Sequence, residues 1–236
     1  MISFIVPAYN EELLIGRTLM ALADAGSALG QPFEVVVADD ASTDRTAAIA
    51  RGHGARVVSV QNRQIAATRN AGARAATGEM LVFVDADTVV TRAAVRAAID
   101  AMHAGAAGGG CLIRFDGDVP LWGRLLLRTL LPLYRLFRIA SGSFLFCTRR
   151  AFEAAGGFDE KLFAAEELAM SRALHRQGRF VVLREVVTTS GRKVRAYSGR
   201  EILGLLARVI LAGEKGIQQR NGLEPWYGDR RPDPGS

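Results

Sequence analysis

The chain has 236 residues, 49% of them hydrophobic and 23% charged, with a formal net charge of +6. This balance is that of a folded globular unit and excludes a disordered, collagenous or disulfide-stapled chain. Positive charge suits an anionic partner, but no basic and aromatic residues interleave as a nucleic-acid platform, so no nucleic-acid partner is expected.

In chain order, Ile2 to Val6 reads as a first strand. Ile15, Leu19 and Leu22 then recur at helical spacing, with Ala23 broadening the apolar stripe. Phe33 to Ala38 reads as a second strand, followed by a helix from Arg45 that Asp44 can cap. Ala55 to Val60 is the third strand, Gln64 to Gly78 a helix, and Met80 to Val84 the fourth strand. Thr91 can cap a helix running towards Ala104. Short β-rich runs alternating with helical patterns predict an α/β fold with a mostly parallel central sheet flanked by helices. After Gly108-Gly109-Gly110 come a strand-like Cys111 to Phe115, a leucine- and arginine-rich stretch from Leu121 to Ala140, and a strand from Ser143 to Thr148. A short helix, the turn Gly156-Gly157-Phe158-Asp159 and a helix opening near Glu166 complete this half. The expected organisation is one domain over 1–220, in halves 1–110 and 111–220, with a polar tail over 221–236 that holds Pro225, Pro232 and Pro234.

Three strands end in polar clusters: Pro7-Ala8-Tyr9-Asn10-Glu11, Asp39-Asp40-Ala41-Ser42-Thr43-Asp44 and Asp85-Ala86-Asp87. Ligands of an open α/β sheet bind outside the carboxyl ends of its strands, so these clusters converge on one crevice. Two carboxylates leaving a buried strand suit a hard divalent cation with positions left open for phosphate oxygens; an ordinary loop or helix cap is the competing reading. Asp39-Asp40 can accept hydrogen bonds from a nucleobase or ribose, or can satisfy local backbone donors of a turn. Arg69 can pair with phosphate or lie in solvent.

Taken in order, Phe4-Ile-Val-Pro-Ala-Tyr-Asn-Glu-Glu12, Val35-Val-Val-Ala-Asp-Asp-Ala-Ser-Thr-Asp44, Ala67-Thr-Arg-Asn-Ala-Gly72 and Val82-Phe-Val-Asp-Ala-Asp-Thr88 resemble the family 2 glycosyltransferases of the GT-A fold. The resemblance returns at Gly156-Gly-Phe-Asp-Glu160 and Glu166-Glu167. It implies an inverting transferase that moves a sugar from a nucleoside diphosphate, UDP in the first instance, to an acceptor hydroxyl. Residues 1–110 would then bind the donor and 111–220 the acceptor. Pro7, Tyr9 and Glu11 would line the nucleoside pocket, Asp40 with Asp39 beside it would meet the base, and Arg69 would lie near the nucleotide. Asp85 would contact the ribose or a metal-bound water, and Asp87 would coordinate Mn²⁺ or Mg²⁺. Glu167 inherits the base that deprotonates the acceptor, and a register shift of one would give that role to Glu166.

Arg192-Lys193 can clamp a diphosphate from a loop or stand in solvent. At about 100° per residue, Arg124, Arg128, Arg135 and Arg138 share an arc of about 80°. Pro132 is expected to divide the segment into two short interfacial helices. Two readings stay open for it: peripheral membrane contact, with Leu121, Trp122, Leu125, Leu126, Tyr134, Phe137 and Ile139 at the lipid boundary, or packing on the core or a second subunit in a homodimer. A second apolar helix, Ile202 to Ala212, fits either. No apolar run is long enough to span a bilayer, and the first residues lack a signal peptide's pattern. Cys111 and Cys147 read as unpaired thiols. The expected location is cytoplasmic, at the inner membrane face if the segment binds lipid. A lipidic acceptor, a polyprenyl phosphate acceptor and a non-catalytic membrane scaffold are the alternatives.

Overall fold

The computed structural model describes residues 1–204 and 217–220, together with Leu223, Tyr227, Arg231 and Asp233. The part of the expected Ile202 to Ala212 helix beyond residue 204, and most of the 221–236 tail, lie outside the described residues.

Alternation in the first strand sets the layering. In β1 (Ile2–Ala8), Ile2, Phe4 and Val6 face one hydrophobic cluster while Ile5 faces another, the period-2 consequence of a pleated strand. Helices α1 (Ile15–Ser27) and α4 (Arg92–His103) cover the first face through Ile15, Leu19, Leu22, Val95 and Ile99. Helices α3 (Ile65–Ala75), α6 (Arg149–Ala155) and α7 (Glu166–Gln177) cover the second through Ala66, Ala73, Phe152, Met170 and Leu174. The result is an α/β sheet flanked by helices.

The remaining strands are β2 (Phe33–Asp40), β3 (Arg56–Val60), β4 (Met80–Val84), β5 (Thr88–Val89), β6 (Ala106–Phe115), β7 (Phe144–Thr148) and β8 (Arg179–Thr189). They form one sheet in the order β3-β2-β1-β4-β7-β6-β8-β5. The four strands β3-β2-β1-β4 run parallel, so their carboxyl ends open on one edge. β7 reverses direction against β4 and β6, while β6 and β8 are again parallel.

Several expected boundaries move. β1 and β2 run on to Ala8 and Asp40, carrying their polar ends into the sheet. Ala23 is exposed, and Ala25 and Gly26 complete the buried stripe of α1 instead. Gly108-Gly109-Gly110 does not precede a strand but lies inside β6. A Cβ at Gly108 would stand 2.7 Å from Phe146 O and one at Gly110 2.6 Å from Ala140 Cβ, so β7 and its approach leave no room for side chains. Thr91 caps its helix as expected, Oγ1 accepting from Ala94 N; α2 (Thr46–Gly52) instead begins one residue later than expected, with Arg45 at its cap position and Asp44 before it accepting from Thr46 N through Oδ1. The leucine and arginine segment is one helix, α5 (Leu121–Leu136), with Pro132 inside it, not two. Pro132 and Arg128 are exposed, where water can satisfy the carbonyl that proline leaves without a partner. Among the described residues, no helix is long and apolar enough to cross a membrane.

Candidate active site

The base of the crevice is built around a buried arginine. Arg69 occupies the second turn of α3, whose first turn is capped by the Gln64 side chain, and its side chain is only 3% exposed. Nη1 donates to Glu166 Oε1 at 2.7 Å, and Nη2 donates to Asp85 Oδ1 at 2.8 Å and to Gly142 O at 3.0 Å. Burial opposes its charge, but Asp85 and Glu166 outweigh burial and hold its pKa above the ordinary value. Arg69 Nε has no hydrogen-bond partner. The solvent-facing alternative for this residue is therefore overturned. One guanidinium ties the end of β4 to the start of α7, and Arg69 itself lies 97 residues from Glu166.

Ala165 enters α7 in the left-handed region, at φ +60°, a costly conformation for a residue with a Cβ. The turn places Glu166 and Glu167 together in the first helical turn, where the helix dipole favours acids. Their fates differ. Glu166 is buried and paired with Arg69. Glu167 is half-buried, carries no salt bridge among the described residues, and lies against Gly142, where an added Cβ would be 3.8 Å from its Cδ. Burial and the neighbouring Glu166 charge push Glu167 well above the ordinary carboxylate range, against the pull of Arg69. The Gly156-Gly157 turn packs against Asn70 of α3. Gly157 adopts φ +76°, and a Cβ there would come within 2.9 Å of Asn70 Oδ1, the atom that accepts from Phe158 N at 2.9 Å.

At the end of β2 the two aspartates divide. Asp40 accepts from Asn62 N, Arg63 N, Gln64 N and Thr68 Oγ1 at 2.7, 2.9, 3.2 and 2.9 Å. Both of its oxygens are thus committed to the turn that leads into α3. Asp39 is equally buried, yet its Oδ1 has no hydrogen-bond partner. The resemblance puts the base against Asp40; the structure leaves the available oxygen on Asp39. Nearby, the Arg63 guanidinium lies 3.8 Å over the Tyr9 ring. Pro7 is buried in β1, in register with Ala38 and beyond the last pair with β4 at Ile5, where its missing N–H costs no ladder bond on that side.

The third group gathers around Asp87. β8 leads into α8 (Arg192–Ala196), and Arg192 reaches back across 181 residues to clasp Glu11, with Nη1 2.8 Å from Oε2. Its Nη2 donates to Glu11 Oε1 and, at 3.1 Å, to Asp87 Oδ2. Thr189 Oγ1 donates to Asp87 Oδ1 at 3.3 Å. Burial raises Asp87 to about 6, partly offset by Arg192 and reinforced by Glu11 and Asp85. Lys193 is drawn below its ordinary value by burial, against the attraction of Asp87 and Asp85. Neither basic residue stands freely in solvent. Glu11, expected beside the nucleoside, presents its carboxylate to the Asp87 side of the crevice. The role of Arg192 as a bridge was missed because its partners are distant in sequence. Among the described residues, no three histidine, cysteine or acidic side chains are grouped to hold a metal by themselves. Cys111 and Cys147 are buried, unpaired thiols that burial makes harder to ionise.

The site thus sets acidic ends of an α/β sheet beside a carboxylate pair at the start of α7. The model of glycosyl transferase family 2 matches residues 3–155, so the chain belongs to that family. It is 35% identical over 130 residues to validoxylamine A glucosyltransferase of Streptomyces hygroscopicus subsp. jinggangensis, a match covering 51% of this chain and 30% of that protein. It is also 35% identical over 94 residues to the undecaprenyl-phosphate 4-deoxy-4-formamido-L-arabinose transferase of Pseudomonas paraeruginosa, covering 37% of this chain and 28% of the relative. The chain thus matches less than a third of the length of either relative. Among solved structures, the mannosyltransferase PcManGT from Pyrobaculum calidifontis, in complex with GDP-Man and Mn²⁺, superimposes with a TM-score of 0.70 at 22% identity. That superposition covers 96% of this chain and 66% of the other. TarS 1-349 of S. aureus in complex with UDP-GlcNAc gives 0.62 at 24% identity, covering 90% and 66%. Both place the fold as GT-A.

Proposed function

We propose that this protein is an inverting glycosyltransferase that moves a sugar from a nucleoside diphosphate, UDP in the first instance, to an acceptor hydroxyl, with Glu167 as the base. The observation that carries the reading is the division between Glu166 and Glu167. One acid is neutralised by Arg69 and the other has no salt bridge among the described residues, so only Glu167 is equipped to take a proton. A base whose pKa lies above the ordinary carboxylate range is better matched to a hydroxyl proton near neutral pH.

The donor side follows from the same sorting. Asp39 Oδ1 accepts a base N–H, with Tyr9 and Pro7 as the adjoining walls; Asp40 holds the loop that shapes them. Asp85, oriented by Arg69, meets the ribose. Asp87 is the ligand for Mn²⁺ or Mg²⁺: its oxygens are hard donors, and the acids around it create excess negative charge that already attracts a cation, Arg192. A bound divalent ion would neutralise charge growing on the departing diphosphate. Arg192 and Lys193, displaced from the acids, would face the same oxygens. The names of the Pseudomonas relative and of the other undecaprenyl-phosphate transferases favour a lipid-linked acceptor as a second reading. If the acceptor is the phosphate itself, no base is required.

The test is release of nucleoside diphosphate from UDP- and GDP-sugars with Mn²⁺ and candidate acceptors. Glu167→Gln should keep donor affinity and lower turnover by about 100-fold or more. The wild-type rate should rise with pH as Glu167 loses its proton, and the variant should lose that dependence. Normal turnover in Glu167→Gln together with an inactive Glu166→Gln would move the base by one residue; normal turnover in both would remove it.

A further inference from the structure

Helix α5 turns two unlike faces outward and inward. Gly123 is buried; a Cβ there would meet Val119 and would lie 3.7 Å from Val194 Cβ of α8, while the Trp122 ring leaves no room for one at Gly199. Leu126 and Leu127 are half-buried on the same side. Opposite them, Leu121, Leu125 and Leu136 are 73, 55 and 72% exposed, and Phe137 just beyond the helix is 63% exposed. At about 100° per residue, the three leucines span about 60° of arc, and Arg124, Arg128 and Arg135 fill an adjoining arc of about 40°. All three arginines are exposed. Packing on the chain's own core, one of the two readings of this segment, therefore does not account for these residues.

We propose that the outer face of α5 is a docking surface for a bilayer rich in anionic lipid. Leucines and Phe137 enter the boundary between headgroups and acyl chains while the adjacent arginines meet the lipid phosphates. Charge complementarity selects this occupant over a second copy. An antiparallel twofold contact through the face would set its arginines near those of the partner copy, and like charges across an interface are unfavourable. The inner face of the same helix packs on α8, the element that carries Arg192 into the Asp87 cluster. A surface-bound molecule would thus hold the crevice close to the lipid, which gives a lipid-borne acceptor a route to Glu167. Only this last step rests on the transfer reading, since docking can be measured with no donor present.

The full chain is co-sedimented with vesicles of phosphatidylcholine alone and of phosphatidylcholine mixed with phosphatidylglycerol, across a salt series. Binding to the mixed vesicles should exceed binding to the neutral ones and weaken with salt. Each of Arg124→Gln, Arg128→Gln and Arg135→Gln should reduce affinity for the mixed vesicles by about fivefold. Leu125→Ser with Leu136→Ser should reduce the part that survives high salt. All five sites are exposed, and unchanged thermal unfolding would confirm intact folds. Equal or absent binding to both vesicle types would overturn the proposal, as would variants that bind like the wild type. A dimer in analytical ultracentrifugation that Leu125→Ser with Leu136→Ser dissociates would assign the face to a second copy.

Discussion

The ends of β2 and β4 both present a pair of aspartates to the crevice, and Asp40 is held in a different way from Asp85 and Asp87. At β2, Asp40 is satisfied by three backbone N–H groups and a threonine hydroxyl, all from the segment that begins α3. At β4, Asp85 and Asp87 are satisfied chiefly by the arginines Arg69 and Arg192, which arrive from distant elements. Backbone amides cannot leave without unfolding the turn, so Asp40 is fixed as structure. On the proposed reading, the Arg192 guanidinium, carried on a flexible stem, gives way to a metal cation at Asp87. The difference lies less in the carboxylates than in what holds them.

The largest effect should come from breaking the fixed side. Asp40→Ala leaves three buried or part-buried amides without their acceptor, while Thr68 Oγ1 keeps the Gln64 carbonyl at 2.8 Å, and should destabilise the fold by about 3–5 kcal/mol, read from denaturant unfolding. A loss below about 1 kcal/mol would mean that water replaces Asp40 readily, and the contrast would fail. Asp87→Ala tests the exchangeable side. Arg192 retains Glu11, so the variant should stay folded and lose Mn²⁺-dependent UDP binding in calorimetry. Wild-type affinity would remove Asp87 from the metal site.

Arg192→Gln sharpens the contrast with the smallest change. Removing the competing cation should raise Mn²⁺ affinity by up to about tenfold at alkaline pH, on the order of 1.4 kcal/mol. The pH dependence has a definite sign. Arg192 lowers the pKa of Asp87, which stands at about 6 with Arg192 in place; without it, Asp87 holds its proton to higher pH. The gain should therefore shrink as pH falls towards that value, because a proton competes with the metal. Weaker Mn²⁺ binding at every pH would show that Arg192 assists the metal rather than standing in its place.

Much of the N-terminal half was legible because its signals are local. The apolar run Met80–Val84 became β4 with those boundaries, and the three polar clusters lie at the ends of their strands, the first two beginning inside β1 and β2. β8 was missed because Arg184 and Glu185 interrupt its apolar pattern. Its pairing with β6 and β5 supplies the hydrogen bonds that its composition does not advertise.

By itself the sequence determined the α/β alternation, the set of acids at the strand ends and the presence of two adjacent glutamates. Those follow from periodicity and from residue types a few positions apart. Only the tertiary structure decided which acid is committed and which is available: Asp40 against Asp39, Glu166 against Glu167. That choice turns on Arg69, 97 residues from Glu166, and on backbone amides whose directions are set by the loop before α3. It also decided the place of Arg192, 181 residues from Glu11. A carboxylate's chemistry depends on the charges and donors within a few ångströms of it, and the fold assembles those from segments that share no local pattern.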